Sequence, residues 1–168
     1  MKEEILNLLN TYEKALCVLD DYDHECLKRP KGSAPSYLLT YEECTSLISS
    51  MRFGRDSDLF GREKDDSFRG SIGNIYQTFD GGELYPSFEE KAATLLYLVV
   101  KNHSFLDGNK RIAATVFLYF LAKNDRLYKT DGSLTLSNEA LAAITLMIAC
   151  SRPEDKDAMI SIVINCLT

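Results

Sequence analysis

The feature that most constrains this fold is a pair of long apolar segments, residues 92–100 and 112–122, separated by one polar stretch. A helix drawn through either segment is apolar on nearly every side, and such helices lie at the centre of a protein. Ser87 and Glu90 have the spacing of a capping box, which predicts a helix from there to about Asn102. The second central helix is predicted over residues 110–123. We therefore expect an all-α bundle built around this pair.

Shorter helices are predicted around the central pair. Apolar residues recur at three- and four-residue steps from Ile5 to Leu19, which predicts one amphipathic helix over residues 2 to about 27. Capping-box spacing at Thr40 and Glu43, and again between Ser151 and Glu154, marks the starts of two others. The further predicted helices run from Tyr41 to about Met51, from Ser67 to about Tyr76, from Ser137 to about Cys150 and from Ser151 to about Cys166.

Turn residues and polar runs mark the connections. Loops are predicted over residues 28–35, 54–66 and 127–136, the last with room for a short strand. Between Gln77 and Pro86, short extended pieces flank an Asp-Gly-Gly turn, which predicts a small β-hairpin. No repeat or linker divides the 168 residues, so we expect one domain with a sizeable core.

Charge and cysteine usage exclude several classes of protein. The net charge of −6 and the pI near 5.0 oppose nonspecific binding of nucleic acid, which needs a basic face, but they permit a local nucleotide site. The five cysteines are scattered, which favours reduced thiols. The first residues, Met1 to Glu4, lack the basic n-region that is typical of a signal peptide, and no apolar stretch is long enough to span a membrane. We expect a cytoplasmic protein with no nucleic-acid or membrane partner.

The polar stretch between the central helices, His103 to Arg111, carries the chemistry. Gly108 lets the backbone approach a ligand closely, and a helix that begins near Asn109 offers free N–H groups to a phosphate. Lys110 and Arg111 oppose the helix dipole at that position, unless an anion lies between them. This part of the stretch predicts a phosphate site.

Two further residues of the same stretch suggest catalysis. Asp107 provides the hard oxygen ligand that Mg²⁺ prefers, and His103 can accept a proton near neutral pH. Together with the phosphate site they describe phosphoryl-type transfer from a nucleotide. Each residue taken alone also has an ordinary explanation as loop, turn or surface charge. The i, i+4 spacing of His103 and Asp107 also fits a metal site, but Gly108 and the lack of a further nearby His argue against zinc.

This stretch closely resembles the signature of the Fic/Doc (Fido) family, His-Pro-Phe-x-Asp/Glu-Gly-Asn-Gly/Lys-Arg-x-x-Arg. Residues 77–93 and the Asn-Lys-Arg form resemble the death-on-curing branch of that family, and also the C-terminal domain of RhuM-type proteins. The resemblance covers roughly residues 65–165 and leaves residues 1–60 as an unassigned helical part. The positions that match the signature are His103, Phe105, Asp107, Gly108, Asn109 and Arg111.

The resemblance implies a helical bundle with a β-hairpin flap over the active site. It also implies an enzyme that uses Mg²⁺ and ATP, or another nucleoside triphosphate, to modify a Ser, Thr or Tyr hydroxyl of a protein. By resemblance His103 is the catalytic base, Asp107 holds Mg²⁺ and Phe105 anchors the loop. The implied phosphate-binding residues are Gly108, Asn109, Lys110 and Arg111. The implied flap, which would dock the protein substrate, is Gln77, Thr78, Phe79, Asp80, Gly81, Gly82, Glu83 and Leu84.

Three departures from the signature bear on the reaction. Ser104 replaces the usual Pro and is expected to loosen the loop. Lys110 replaces Gly and Ala114 replaces the second Arg, as in death-on-curing toxins, which transfer the terminal phosphate. This favours phosphorylation, although Gly108, where the prototype toxin has Ala, counts against it. Transfer of AMP is the alternative, and a catalytically silent nucleotide- or peptide-binding module is the second alternative. A structural bundle without a ligand is the weakest hypothesis.

Many family members also carry a self-inhibitory helix with the pattern Ser/Thr-x-x-x-Glu-Gly/Asn. The nearest pattern here, Thr135 to Ala140 with its Glu139, is interpreted as a chance match, because Glu is common in the first turn of a helix. Ala114 also removes the Arg that such a Glu would bind. We therefore expect any inhibitor to be a separate, antitoxin-like protein.

Overall fold

A computed structural model describes residues 2–51 and 57–168. The described residues form eight α-helices and one two-stranded antiparallel sheet, which confirms the all-α class with a small hairpin. In chain order the elements are α1 Lys2–Asn10, α2 Glu13–Asp23, α3 Tyr41–Ser50, α4 Ser67–Asn74, β1 Thr78–Phe79, β2 Gly82–Glu83, α5 Phe88–Asn102, α6 Asn109–Lys123, α7 Asn138–Cys150 and α8 Lys156–Leu167.

Helix α5 is the centre of the bundle. Twelve of its 15 residues are buried, and it packs against α4, α6, α7 and α8. Helix α6 lies beside it and buries Ile112, Phe117 and Leu121 among others. The two apolar segments thus form the central pair that the sequence predicts.

Two of the three predicted capping boxes are confirmed. The hydroxyls of Thr40 and Ser87 accept from the backbone N–H three residues on, and the Glu at that position bonds back. The third is wrong, because the Ser151 hydroxyl donates to the carbonyl of Ile148 at the end of α7. A 3₁₀ turn over Pro153–Asp155 follows, and α8 begins only at Lys156.

The N-terminal helix differs from its prediction in length, continuity and packing. The helix is interrupted at Thr11. The hydroxyl of Thr11 donates to the carbonyl of Leu8 at 2.6 Å and competes with the helical backbone hydrogen bonds. Helix α2 ends at Asp23, where a run of acidic residues opposes the helix dipole. No residue of α1 or α2 is buried, so their apolar side chains contribute little to the core.

The predicted hairpin is present and is fastened to α5. Asp80 and Gly81 have φ values of +51° and +82°, as a tight two-residue turn requires. The fully buried Lys91 ammonium donates to the carbonyls of Ile75 and Tyr85 on either side of the hairpin. It also contacts a carboxylate oxygen of Glu83 at 2.9 Å.

The remaining predictions concern loops, the membrane and the cysteines. In residues 127–136 the expected strand is reduced to one bridge between Tyr128 and Leu134. Residues 54–56 of the predicted loop over 54–66 lie outside the described residues. None of the described helices combines the length and the apolar character needed to cross a bilayer. All five cysteines are free thiols, and burial raises the pKa of the Cys44 thiol to about 12.

Candidate active site

A cavity of about 450 Å³ opens where α5 ends and α6 begins. Seven of its eight lining residues belong to the stretch between the two central helices, and the eighth comes from a segment that precedes α4. The lining residues are Lys64, His103, Leu106, Asp107, Gly108, Asn109, Lys110 and Arg111. The structure therefore gathers the predicted base, the predicted Mg²⁺ ligand and the predicted phosphate-binding residues around one space.

His103 follows the last residue of α5 and has a left-handed backbone, with φ +46° and ψ +51°. Glycine or asparagine usually occupies this position at the end of a helix, because a side chain there costs about 1–2 kcal/mol. Strained residues of this kind cluster at functional sites. The left-handed turn places an exposed imidazole at the cavity.

The loop after His103 is closed from within by Asn109. The Asn109 amide accepts from the backbone N–H of Phe105 at 2.9 Å and donates to the carbonyl of the same residue at 2.8 Å. The Phe105 ring is fully buried and packs edge-on against Phe68, with 4.9 Å between the ring centroids. Asn109 thus lines the cavity, but its amide fixes the shape of the loop.

Ser104, which is expected to loosen the loop, makes a hydrogen bond to a neighbouring helix. Its side chain is buried and shares a hydrogen bond of 2.6 Å with the hydroxyl of Ser67 at the start of α4. The usual Pro has no hydroxyl for such a bond. At this position the rigid ring of proline is therefore replaced by a side chain that makes a hydrogen bond to a neighbouring helix.

Gly108 is the N-cap residue of α6 and leaves its first turn without a side-chain cap, so a bound anion can take the place of that cap. Its φ is +88°, and the space beside it is filled by Phe60, because an added Cβ would come within 2.3 Å of that ring. The Arg111 guanidinium lies 4.9 Å from the Phe60 ring centroid and 3.5 Å from a carboxylate oxygen of Asp107. Phe60 therefore holds both the glycine and the arginine in place.

The segment around Phe60, residues 57–64, is the part of the site that sequence reasoning missed. Its backbone pairs with the loop of the central stretch through Gly61 N–H to the Asp107 carbonyl, 3.2 Å, and Leu106 N–H to the Arg62 carbonyl, 2.8 Å. Isolated bridges join the same two segments. These contacts use backbone atoms, so the polar side chains gave no signal. The pair Phe60-Gly61, a glycine next to a phenylalanine, is the sequence feature that could have indicated a role for this segment.

The hairpin is fastened at its base to Lys91 in the first turn of α5. No hairpin residue lines the cavity among the described residues. Docking of a protein substrate on residues 77–84 stays a prediction.

A second cavity, of about 320 Å³, adjoins the first and shares Lys110 and Arg111 with it. Ala114 lines this apolar space together with Leu141, Thr145 and other residues of α7. Glu139, of the pattern compared with a self-inhibitory helix, is exposed in the first turn of α7. Thr135 of that pattern donates to the carbonyl of Arg126.

The donor set around the first cavity limits the metal that it could hold. Within the described residues, no cluster of three or more His, Cys, Asp or Glu side chains could hold a metal ion. Mg²⁺ often takes only one or two protein carboxylates and completes its shell with phosphates and water. Asp107, half-exposed at the cavity, fits that mode.

Comparison with known proteins adds a family match. Residues 40–121 match the model of the Fic/DOC family, from the N-cap of α3 to near the end of α6, which supports the Fido resemblance. The match begins earlier than the resemblance seen in the sequence and so includes residues 57–64. Neither the search of curated proteins nor the search of solved structures found a match.

Proposed function

We propose that this chain works as a Fic/Doc (Fido) enzyme, a Mg²⁺- and nucleoside triphosphate-dependent transferase that modifies a protein hydroxyl. The match over residues 40–121 supports Fido-type modification in general. The specific form proposed is transfer of the terminal phosphate to Ser, Thr or Tyr. The protein is then a kinase in the chemical sense, with a protein as its second substrate.

The observation that carries the proposal is the shared lining of one cavity. An exposed imidazole, a carboxylate and three cations surround the uncapped N-terminus of α6, although the chain as a whole is acidic. Such a terminus attracts phosphate through its N–H groups and its dipole. Arg111 can form forked hydrogen bonds to phosphate oxygens, and Lys110 adds a point charge.

His103 is proposed to activate the acceptor. Its imidazole takes the proton of the hydroxyl while the hydroxyl oxygen forms a bond to the terminal phosphorus. The bond from that phosphorus to the bridging oxygen breaks, and the nucleoside diphosphate leaves with the electron pair. Among protein side chains, the imidazole of histidine is the one best suited to take up a proton near neutral pH. The left-handed backbone that presents the imidazole supports this role.

Asp107 is the residue that would hold Mg²⁺. The ion supplies charge neutralisation of the phosphate oxygens when it is bound. The contact between Asp107 and Arg111, at 3.5 Å, is long for a hydrogen bond and leaves the carboxylate half-exposed. Asp107 can therefore serve as a ligand without the loss of a strong ion pair.

The identities of two residues favour phosphate transfer over AMP transfer. Lys110 places a flexible cation at the N-terminus of α6, where it lines both cavities, and Ala114 contributes no charge to the second cavity. We expect a triphosphate to be bound chiefly at one end, next to His103, rather than along its whole length. Transfer of AMP remains the alternative within the same proposal.

Two radioactive labels distinguish these outcomes. The purified chain is incubated with Mg²⁺, cell lysate and ATP labelled at either the α- or the γ-phosphate. Protein labelled from the γ-position alone is the expected result. Label from the α-position would show AMP transfer instead. The absence of label from both positions, while the chain still binds ATP, would support a catalytically silent module and contradict the transferase.

A further inference from the structure

We infer that Lys64 is a further phosphate-binding residue of this site, supplied by a segment separate from α6. The inference rests on the proposed function, because it takes the triphosphate of a nucleotide as the ligand. Lys64 lies outside the polar stretch that suggested the site, yet it lines the same cavity as His103 and Lys110.

The backbone of Lys64 is fixed beside the loop of the central stretch. Its N–H donates to the carbonyl of Ser104 at 2.8 Å, directly after His103 in the chain. The hydrogen bonds of Gly61 and Arg62 to the same loop hold the residues before it. The root of the Lys64 side chain therefore keeps a constant position relative to His103, and only its flexible stem remains to be ordered by a ligand.

The carboxylates on either side of Lys64 are engaged elsewhere. Glu63 accepts a hydrogen bond from the hydroxyl of Tyr41 on α3. Asp65 accepts from the backbone N–H of Ser67 at 2.9 Å, at the start of α4. Hydrogen bonds from Ser67 are also the main reason that the pKa of Asp65 is lowered, and the charge of Lys64 contributes least. Both neighbouring carboxylates therefore have hydrogen-bond donors other than the Lys64 ammonium group.

The charges that line the cavity favour an anionic ligand. Lys64, Lys110 and Arg111 line it with a single carboxylate, Asp107, which already lies near Arg111. Three like charges around one space repel one another, and a polyphosphate removes that repulsion. A triphosphate also has more oxygens than one helix N-terminus can contact. A lysine on a second segment can bind those that α6 does not reach.

The test compares the affinity of Lys64 variants for Mg²⁺-ATP, measured by calorimetry on the full chain. Lys64→Gln is expected to weaken binding by about five- to tenfold, the effect of one charge-assisted hydrogen bond that is partly exposed to solvent. Lys64→Arg should restore most of the affinity. Arg62→Gln is the matched control. It removes a positive charge of the same size two residues before Lys64, from a side chain that does not line the cavity.

Salt dependence separates a direct contact from a structural role. Lys64→Gln should bind Mg²⁺-ATP with a weaker dependence on salt concentration than the wild type, at an unchanged unfolding temperature. Equal affinities of the wild type and Lys64→Gln, within twofold, would overturn the inference but leave the proposed function standing. Failure of the wild type to bind ATP would overturn both. Loss of affinity in Lys64→Gln, with no protein labelled by the wild type, would support the inference and contradict the transferase.

Discussion

At Gly108 the φ angle is +88°, and the Phe60 ring lies where a side chain would begin. Gly108→Ala therefore combines backbone strain with a contact of 2.3 Å to a ring that also supports Arg111. We expect the free energy of unfolding to fall by about 2–3 kcal/mol, together with weaker binding of ATP. Chemical denaturation and calorimetry measure the two effects.

Gly70→Ala is the matched control for this substitution. Gly70 lies in the exposed part of α4, where an added Cβ meets no atom within 4 Å. Alanine in a helix is expected to stabilise the chain by about 0.5–1 kcal/mol there. If Gly108→Ala changed stability as little as Gly70→Ala does, then the close packing of Phe60 against the start of α6 would be wrong.

The residues of the central stretch could be found from the sequence, whereas their partners could not. His103 to Arg111 are contiguous, so their shared cavity follows once two buried helices flank them. Phe60 and Lys64 arrive from about 40 positions earlier in the chain through backbone pairing, which no side-chain pattern records. The hydroxyl tie of Ser104 to Ser67 likewise depends on the placement of α4.

At the scale of elements, a cluster around Glu43 joins α3 to α6 and to the loop before α3. Its carboxylate accepts hydrogen bonds from the hydroxyls of Tyr37, 2.6 Å, and Tyr119, 2.7 Å, and from the backbone N–H of Thr40. Burial raises the pKa of this carboxyl, but these hydrogen bonds outweigh it, and the pKa lies below its ordinary value of 4.5.

Because the pKa of Glu43 is lower in the folded chain than in the unfolded chain, ionised Glu43 stabilises the fold above pH 4.5. That contribution is lost as the pH falls through the folded-state pKa. Glu43→Gln is expected to lower the free energy of unfolding by about 1–2 kcal/mol at pH 7, and by less at pH 3. Urea denaturation at both pH values measures the difference.

Glu42→Gln is the control for this element. Within the described residues, the Glu42 side chain makes an exposed ion pair with Arg69 at 3.8 Å, so its substitution should change stability by no more than about 0.5 kcal/mol. A pH-independent effect of Glu43→Gln would contradict the proposed role of the ionised carboxylate.

The elements were predicted well where local chemistry decides them. Capping boxes at Thr40 and Ser87 and the turn at Asp80 act through neighbouring residues, so their sequence signals held. The capping box predicted at Ser151 is wrong, because the Ser151 hydroxyl donates to a carbonyl at the end of α7. The periodicity of apolar residues predicted helices at the N-terminus but not how they pack. The spacing does not indicate which element, if any, covers the apolar face of a helix.

At the scale of the whole molecule, α1 lies apart from the core. No residue of α1 is buried, and Leu8 on it is 62% exposed. A helix of nine residues has little stability of its own in water. We expect that removal of residues 2–10 leaves the midpoint of thermal unfolding within about 2 °C of the full chain. Ile164→Ala, in α8 of the core, should lower it by about 5 °C or more.

The proposed function depends on His103 acting as a base at this cavity, and one measurement tests this role directly. His103→Asn removes the imidazole but keeps a residue that tolerates the left-handed backbone, so the fold and ATP binding should persist. Incorporation of γ-labelled phosphate into lysate protein is compared between the wild type and this variant. If His103 is the base, incorporation of labelled phosphate should fall by at least about a hundredfold in His103→Asn. Equal incorporation by the two proteins would contradict it.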